Sequence, residues 1–68
     1  MSAEGKFLVY CLELYRKEKN LTGKQVLELF QQYGVMEYVT SYYESLHTTG
    51  WQCIYEDIDE FIAEQQTA

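Results

Sequence analysis

Few groups in this chain are equipped for chemistry: Cys11, Cys53, His47 and the acidic run Glu56-Asp57-Ile58-Asp59-Glu60. A nucleophilic thiol needs a base beside it and surroundings that favour the thiolate. His47 is the single histidine, so it would have to serve either cysteine. Both cysteines sit among apolar residues, which predicts small buried thiols and no disulfide scaffold. One histidine and two distant cysteines give no zinc-ligand spacing. His47 is better placed to cap a helix end, where a donor meets free carbonyls. The acidic run lacks the glycine and spaced oxygen donors of a calcium loop, and Ile58 in its middle belongs to an apolar stripe. It reads as a solvated helix face. With four glycines and none in a phosphate-binding pattern, nucleotide chemistry has no motif either. No residue is therefore assigned to catalysis, to a cofactor or to a metal, and the expectation is a protein that is not an enzyme.

What remains is a surface. Aromatic residues make up 16% of the 68 positions, and seven of them are Tyr. That is more than the inward stripes need, and Tyr10, Tyr38 and one of Tyr42 and Tyr43 fall off those stripes. Tyr is enriched in interface cores because it is large, fairly rigid and amphipathic. All five basic residues (Lys6, Arg16, Lys17, Lys19, Lys24) lie in the first 24 positions, whereas eight acidic residues and no basic one follow Lys24. Such a surface repels phosphate and favours basic partners. Tyr10, Tyr38, Tyr42, His47, Trp51, Glu56, Asp57, Asp59 and Glu60 are the candidate interaction residues. The partner is expected to be another protein or a second copy of this chain in a homodimer. The alternative is a DNA-binding regulator of helix-turn-helix type using Arg16, Lys17, Lys19 and Lys24. Nucleic acid is disfavoured because the later segments carry no Lys or Arg for a recognition helix.

The elements that must position these residues follow from period and punctuation. Leu8, Cys11, Leu12 and Tyr15 show the i, i+3, i+4, i+7 spacing of a helix over about Ala3 to Lys19. Thr22-Gly23-Lys24-Gln25 reads as a capping box, with Leu21 and Val26 as its hydrophobic staple. The helix it starts runs to about Tyr33 and stops at Gly34, which accepts a left-handed backbone. A third helix spans about Val35 to Leu46, through Val39, Tyr42 and Tyr43, with Gly50 as a further stop that folds Trp51 back on Leu46. In the fourth segment Trp51, Ile54, Tyr55, Ile58, Phe61 and Ile62 fit a helix to about Glu64. However, Trp51, Cys53 and Tyr55 also alternate, so residues 51–55 are the one stretch with an extended alternative. The predicted core is Leu8, Cys11, Leu12, Tyr15, Val26, Leu27, Phe30, Val39, Tyr43, Leu46, Ile54, Ile58 and Phe61. Nothing apolar is long enough to span a membrane, and the start lacks the pattern of a secretory signal. A cytoplasmic protein is expected, with no membrane among its partners.

Four pieces together resemble a known family: Asn20-Leu21-Thr22-Gly23-Lys24, Tyr33-Gly34-Val35, Leu46-His47-Thr48-Thr49-Gly50 and Glu56-Asp57-Ile58-Asp59. The chain is similar, from Phe7 to Ile62, to a small bacterial family of unknown function, domain-of-unknown-function family 3791. The resemblance implies small stand-alone proteins with no assigned activity, cofactor or catalytic residues. It also implies a neighbourhood of proteins similar to ADP-ribosyltransferases, and hence a toxin and its neutralising partner, an antitoxin. The fold expected is all-α, a small bundle of three to four short helices in a single domain over residues 1–68.

Overall fold

The computed structural model describes residues 2–67, and among them every regular element is a helix. Five helices follow in order: α1 (Ala3–Lys19), α2 (Gly23–Tyr33), α3 (Val35–Ser41), α4 (Tyr43–Leu46) and α5 (Trp51–Thr67). The all-α expectation holds, and the alternative of an extended 51–55 does not, because these residues form the first turns of α5. The Cα radius of gyration is 11.1 Å, close to the roughly 11 Å of a globular chain this long.

The helix count exceeds three to four because the third segment is broken at Tyr42. Its backbone (φ −106°, ψ 23°) leaves the helical region and separates α3 from α4. Neither proline nor glycine causes the break. Two residues before it, the Thr40 hydroxyl donates to the Met36 carbonyl at 2.9 Å and approaches that of Glu37 at 3.3 Å. Side-chain bonds of this kind compete for the carbonyls of the helix ladder and bend it.

The helix boundaries are set by local chemistry. Ser2 caps α1 by accepting from the Gly5 amide at 3.0 Å. Asn20 ends α1 in the left-handed region (φ 56°, ψ 48°). Its amide donates to the Lys17 carbonyl and that of Leu21 to the Arg16 carbonyl, at 3.3 and 2.9 Å. This paired 5→2 and 6→1 closure is a Schellman motif with asparagine in the usual glycine position. The capping box of α2 is complete: Gln25 N–H donates to Thr22 Oγ1 at 3.1 Å, and Thr22 N–H donates to Gln25 Oε1 at 2.9 Å. Gly34 terminates α2 at φ 70°. Gly50 acts differently from expectation. It has no left-handed backbone and sits before α5, its carbonyl accepting from Ile54 at 3.1 Å. Trp51, expected to fold back on Leu46, opens α5 and is exposed.

Cys11, Tyr15, Val26, Phe30, Val35, Val39, Ile54, Ile58 and Ile62 form one buried cluster drawn from α1, α2, α3 and α5. Val35 and Ile62 were absent from the predicted core. Of the residues predicted there, Leu8, Leu12 and Phe61 pack against the cluster while half-buried, Leu46 is buried outside it, and Tyr43 is half-buried at its periphery. Leu27 is a correction: it is 41% exposed. The inward stripe of α2 is Val26, Leu29, Phe30 and Tyr33, and Leu27 lies about 100° around the helix from Val26. Cys53 is a second correction, because it is exposed. It falls one position before Ile54, off the stripe formed by Ile54, Ile58 and Ile62. Each fully buried large aliphatic side chain contributes about 1.5–3 kcal/mol, so this cluster and not helix propensity holds elements as short as α3 in place.

Candidate functional site

Most of the residues singled out as motifs are absorbed by the architecture. In Leu46-His47-Thr48-Thr49-Gly50, Leu46 is buried and the polar side chains cap α4. His47 Nδ1 lies 2.7 Å from the Tyr43 carbonyl oxygen, a bond that requires a proton on Nδ1. The hydroxyls of Thr48 and Thr49 donate to the Ser45 carbonyl at 3.3 and 3.0 Å. The His47 ring also stacks on Tyr43 at 4.4 Å between centroids. The Tyr43 carbonyl also accepts from the His47 amide at 2.8 Å, so His47 closes the end of α4 with both its backbone and its ring, the capping role expected of it.

Asp59 is likewise turned to structure. It accepts from the Tyr15 hydroxyl at 2.8 Å and pairs with Lys19 at 3.2 Å, tying α5 to α1. Burial, then the bond to Asp59, pushes the Tyr15 hydroxyl well above the ordinary tyrosine range, so it stays protonated. The Asp59 contact holds Lys19 above its usual value, and its ammonium lies 5.8 and 5.7 Å from the Tyr15 and Tyr55 ring centroids. Tyr15, Lys19 and Asp59 line a groove of about 410 Å³ with Leu21, Leu29 and Ile62. Its charged groups, Lys19 and Asp59, pair with each other.

The thiols are separated in character. Cys11 is fully buried, and burial pushes its thiol up to about 12. Cys53 is exposed and also free. Among the described residues, no group of three or more His, Cys, Asp or Glu side chains is placed to hold a metal ion. No helix of the described residues is long and apolar enough to cross a membrane.

Two aromatic assemblies reach the surface. In the first, Tyr10 packs on Phe7 (6.2 Å), Phe7 meets Tyr43 edge-on (5.4 Å), and Tyr43 carries His47. In the second, Tyr38 of α3 stacks on Phe61 of α5 at 4.2 Å and 14°, and Tyr42 leans on Tyr38 at 5.2 Å. Beside this second assembly Tyr38 and Phe61 line a notch of about 200 Å³ with Asp57, Glu60 and Glu64. Of the candidate interaction residues, the structure thus gathers Tyr38, Tyr42, Asp57 and Glu60. It leaves Tyr10 and His47 on the first assembly, Trp51 and Glu56 exposed elsewhere on α5, and Asp59 against α1. Phe61 and Glu64 belong to the notch and were not among the candidates. Their signal was available: Asp57, Glu60, Phe61 and Glu64 are spaced i, i+3, i+4, i+7 and share one face of α5. The Tyr38 hydroxyl is raised, chiefly by partial burial and further by Asp57 and its neighbours Tyr42, Glu64 and Glu60.

None of the ion pairs among the described residues involves Asp57, Glu60 or Glu64. The pairs are Arg16–Glu13 (2.8 Å), Lys19–Asp59 (3.2 Å) and Lys24–Glu28 (4.0 Å). Three of the four side chains that a DNA-binding reading would use are therefore engaged within the chain.

A family model described as "Protein of unknown function (DUF3791)" matches residues 6–65. No curated protein and no solved structure matches the chain.

Proposed function

The chain belongs to the DUF3791 family of proteins of unknown function, and from that premise we propose that it is a protein-interaction module acting through the outer faces of α3 and α5. One observation carries this reading: aromatic side chains stay at the surface, and the carboxylates beside Tyr38 and Phe61 pair with no cation among the described residues. Tyr42 is 57% exposed and Trp51 46%, while Asp57, Glu60 and Glu64 crowd Tyr38 and Phe61. Aromatic anchors supply much of the energy of protein interfaces, and an unbalanced charge selects partners of opposite sign. The acidic face of α5 suits a basic cleft. A protein similar to an ADP-ribosyltransferase, whose cleft must accept nucleotide phosphates, is the first partner to try, with this chain as its neutralising subunit.

The test is co-purification of the tagged full chain with co-expressed candidate partners, with light scattering on the isolated chain. A stoichiometric complex that is lost in a Tyr42→Ala/Trp51→Ala variant is the expected result. A chain that stays monomeric and captures no protein overturns the proposal. A gel shift at low salt, weakening steeply as salt is added, would instead support the DNA-binding alternative.

A further inference from the structure

We infer that the notch between α3 and α5 is the seat for an arginine side chain presented by a partner protein. The inference rests on the interaction reading above and names the chemistry at its centre. The notch has an aromatic wall, Tyr38 stacked on Phe61 at 4.2 Å with Tyr42 at 5.2 Å on its flank, and an acidic rim of Asp57, Glu60 and Glu64. At about 200 Å³ it falls below the roughly 300–1,000 Å³ of small-molecule sites. Its size is that of one long side chain.

Charge complementarity decides what that side chain is. Three carboxylates surround the rings, and no Lys or Arg occurs anywhere in α3, α4 or α5 to neutralise them. A cation that enters gains from the carboxylates and from the ring faces together. Arginine suits both features better than lysine. Its planar guanidinium stacks on aromatic rings while its fork of N–H donors reaches more than one carboxylate, whereas an ammonium is a compact, strongly hydrated point charge.

A second copy of this chain is poorly equipped to supply that group. Its only arginine, Arg16, is held by Glu13 through two bonds, at 2.8 and 3.2 Å. Lys19 and Lys24 are paired as well. The donor is therefore a different protein with an exposed, unpaired arginine.

Titration of the full chain with hexa-arginine and hexa-lysine peptides of equal charge, followed by heteronuclear NMR, tests the inference without the partner in hand. Hexa-arginine is expected to bind about fivefold tighter and to move the signals of Tyr38, Phe61 and residues 57–64 most. A Glu60→Gln/Glu64→Gln variant removes two exposed charges outside the core and is expected to weaken hexa-arginine about fivefold. The control Glu28→Gln/Glu44→Gln, which removes the same charge elsewhere, leaves binding within about twofold. Equal binding of the two peptides, shifts spread over the whole acidic surface, or equal loss in both variants overturns it. So do notch shifts that grow with protein concentration in the absence of peptide, which would make the occupant a second copy. If a partner co-purifies equally with the Glu60→Gln/Glu64→Gln variant, the arginine seat fails while the interaction reading stands. If no partner is captured but hexa-arginine seats in the notch as described, the reverse holds.

Discussion

Cys11 and Cys53 are one residue type in two environments, and their chemistry follows the environment. A thiolate on Cys11 would have to exist inside an apolar cluster, so burial holds its thiol up at about 12, whereas Cys53 faces solvent. One thiol per folded chain is therefore expected to react with a water-soluble disulfide reagent at neutral pH, and the second only on unfolding. Two fast-reacting thiols would contradict the burial of Cys11. The same shift sets a pH dependence. The unfolded thiol ionises near its ordinary value of 9.0 while the folded one keeps its proton. The stability this contributes is complete below about 9 and is lost as pH rises toward about 12. Denaturant melts at pH 8 and pH 11 are expected to show a smaller loss of stability in Cys11→Ala than in the parent chain, although the variant starts lower by a cavity cost of about 1–3 kcal/mol. Tyr15, raised in the same direction, remains in both proteins and cancels in the comparison.

At the level of elements, two turns depend on a left-handed residue. Asn20 closes α1 at φ 56° and Gly34 closes α2 at φ 70°. A β-carbon in that region costs about 1–2 kcal/mol for most residues, and less for asparagine. Asn20→Gly is therefore expected to be neutral or slightly stabilising. Gly34→Ala is expected to lose about 1 kcal/mol or more, since its new β-carbon would also lie 3.2 Å from Glu37 Oε2. Gly50→Ala meets no atom and has no left-handed backbone to maintain, so it should fall within about 0.5 kcal/mol of the parent. Thermal melts of the three variants measure the order directly, and an equal loss at positions 34 and 50 would refute the assignment of their roles. The family-like pieces Asn20 to Lys24, Tyr33 to Val35 and Leu46 to Gly50 are thus the joints of the bundle. They mark where helices begin and end.

The whole molecule carries a net charge of −6, and eight of its eleven acidic side chains lie after Lys24, where only Glu28 and Asp59 pair with a basic residue among the described residues. Like-charge repulsion on that scale opposes compaction and is screened by salt. The melting temperature is expected to rise by about 2–5 °C between roughly 20 and 200 mM sodium chloride. A fall would mean that the three surface ion pairs outweigh the repulsion. The all-α class, the capping box, the stop at Gly34 and the burial of Cys11, Tyr15, Phe30, Ile54 and Ile58 were legible in the sequence, because each depends on neighbours within about one helical turn. The break at Tyr42 was not, since no proline or glycine marks it. Nor was the exposure of Leu27 and Cys53. Spacing marks a residue as near an apolar stripe, but which 100° step faces the core depends on where the other helices lie. The same reason separates Asp59 from Asp57 and Glu60. All three sit on α5 within one turn, yet only the approach of α1 turns Asp59 into a tie for Tyr15 and Lys19, and only the approach of α3 brings Tyr38 to Phe61. The linear order thus determined which helices form and where they stop. Which carboxylates are tied into ion pairs between helices was decided by helix packing, because it depends on contacts between residues far apart in the chain.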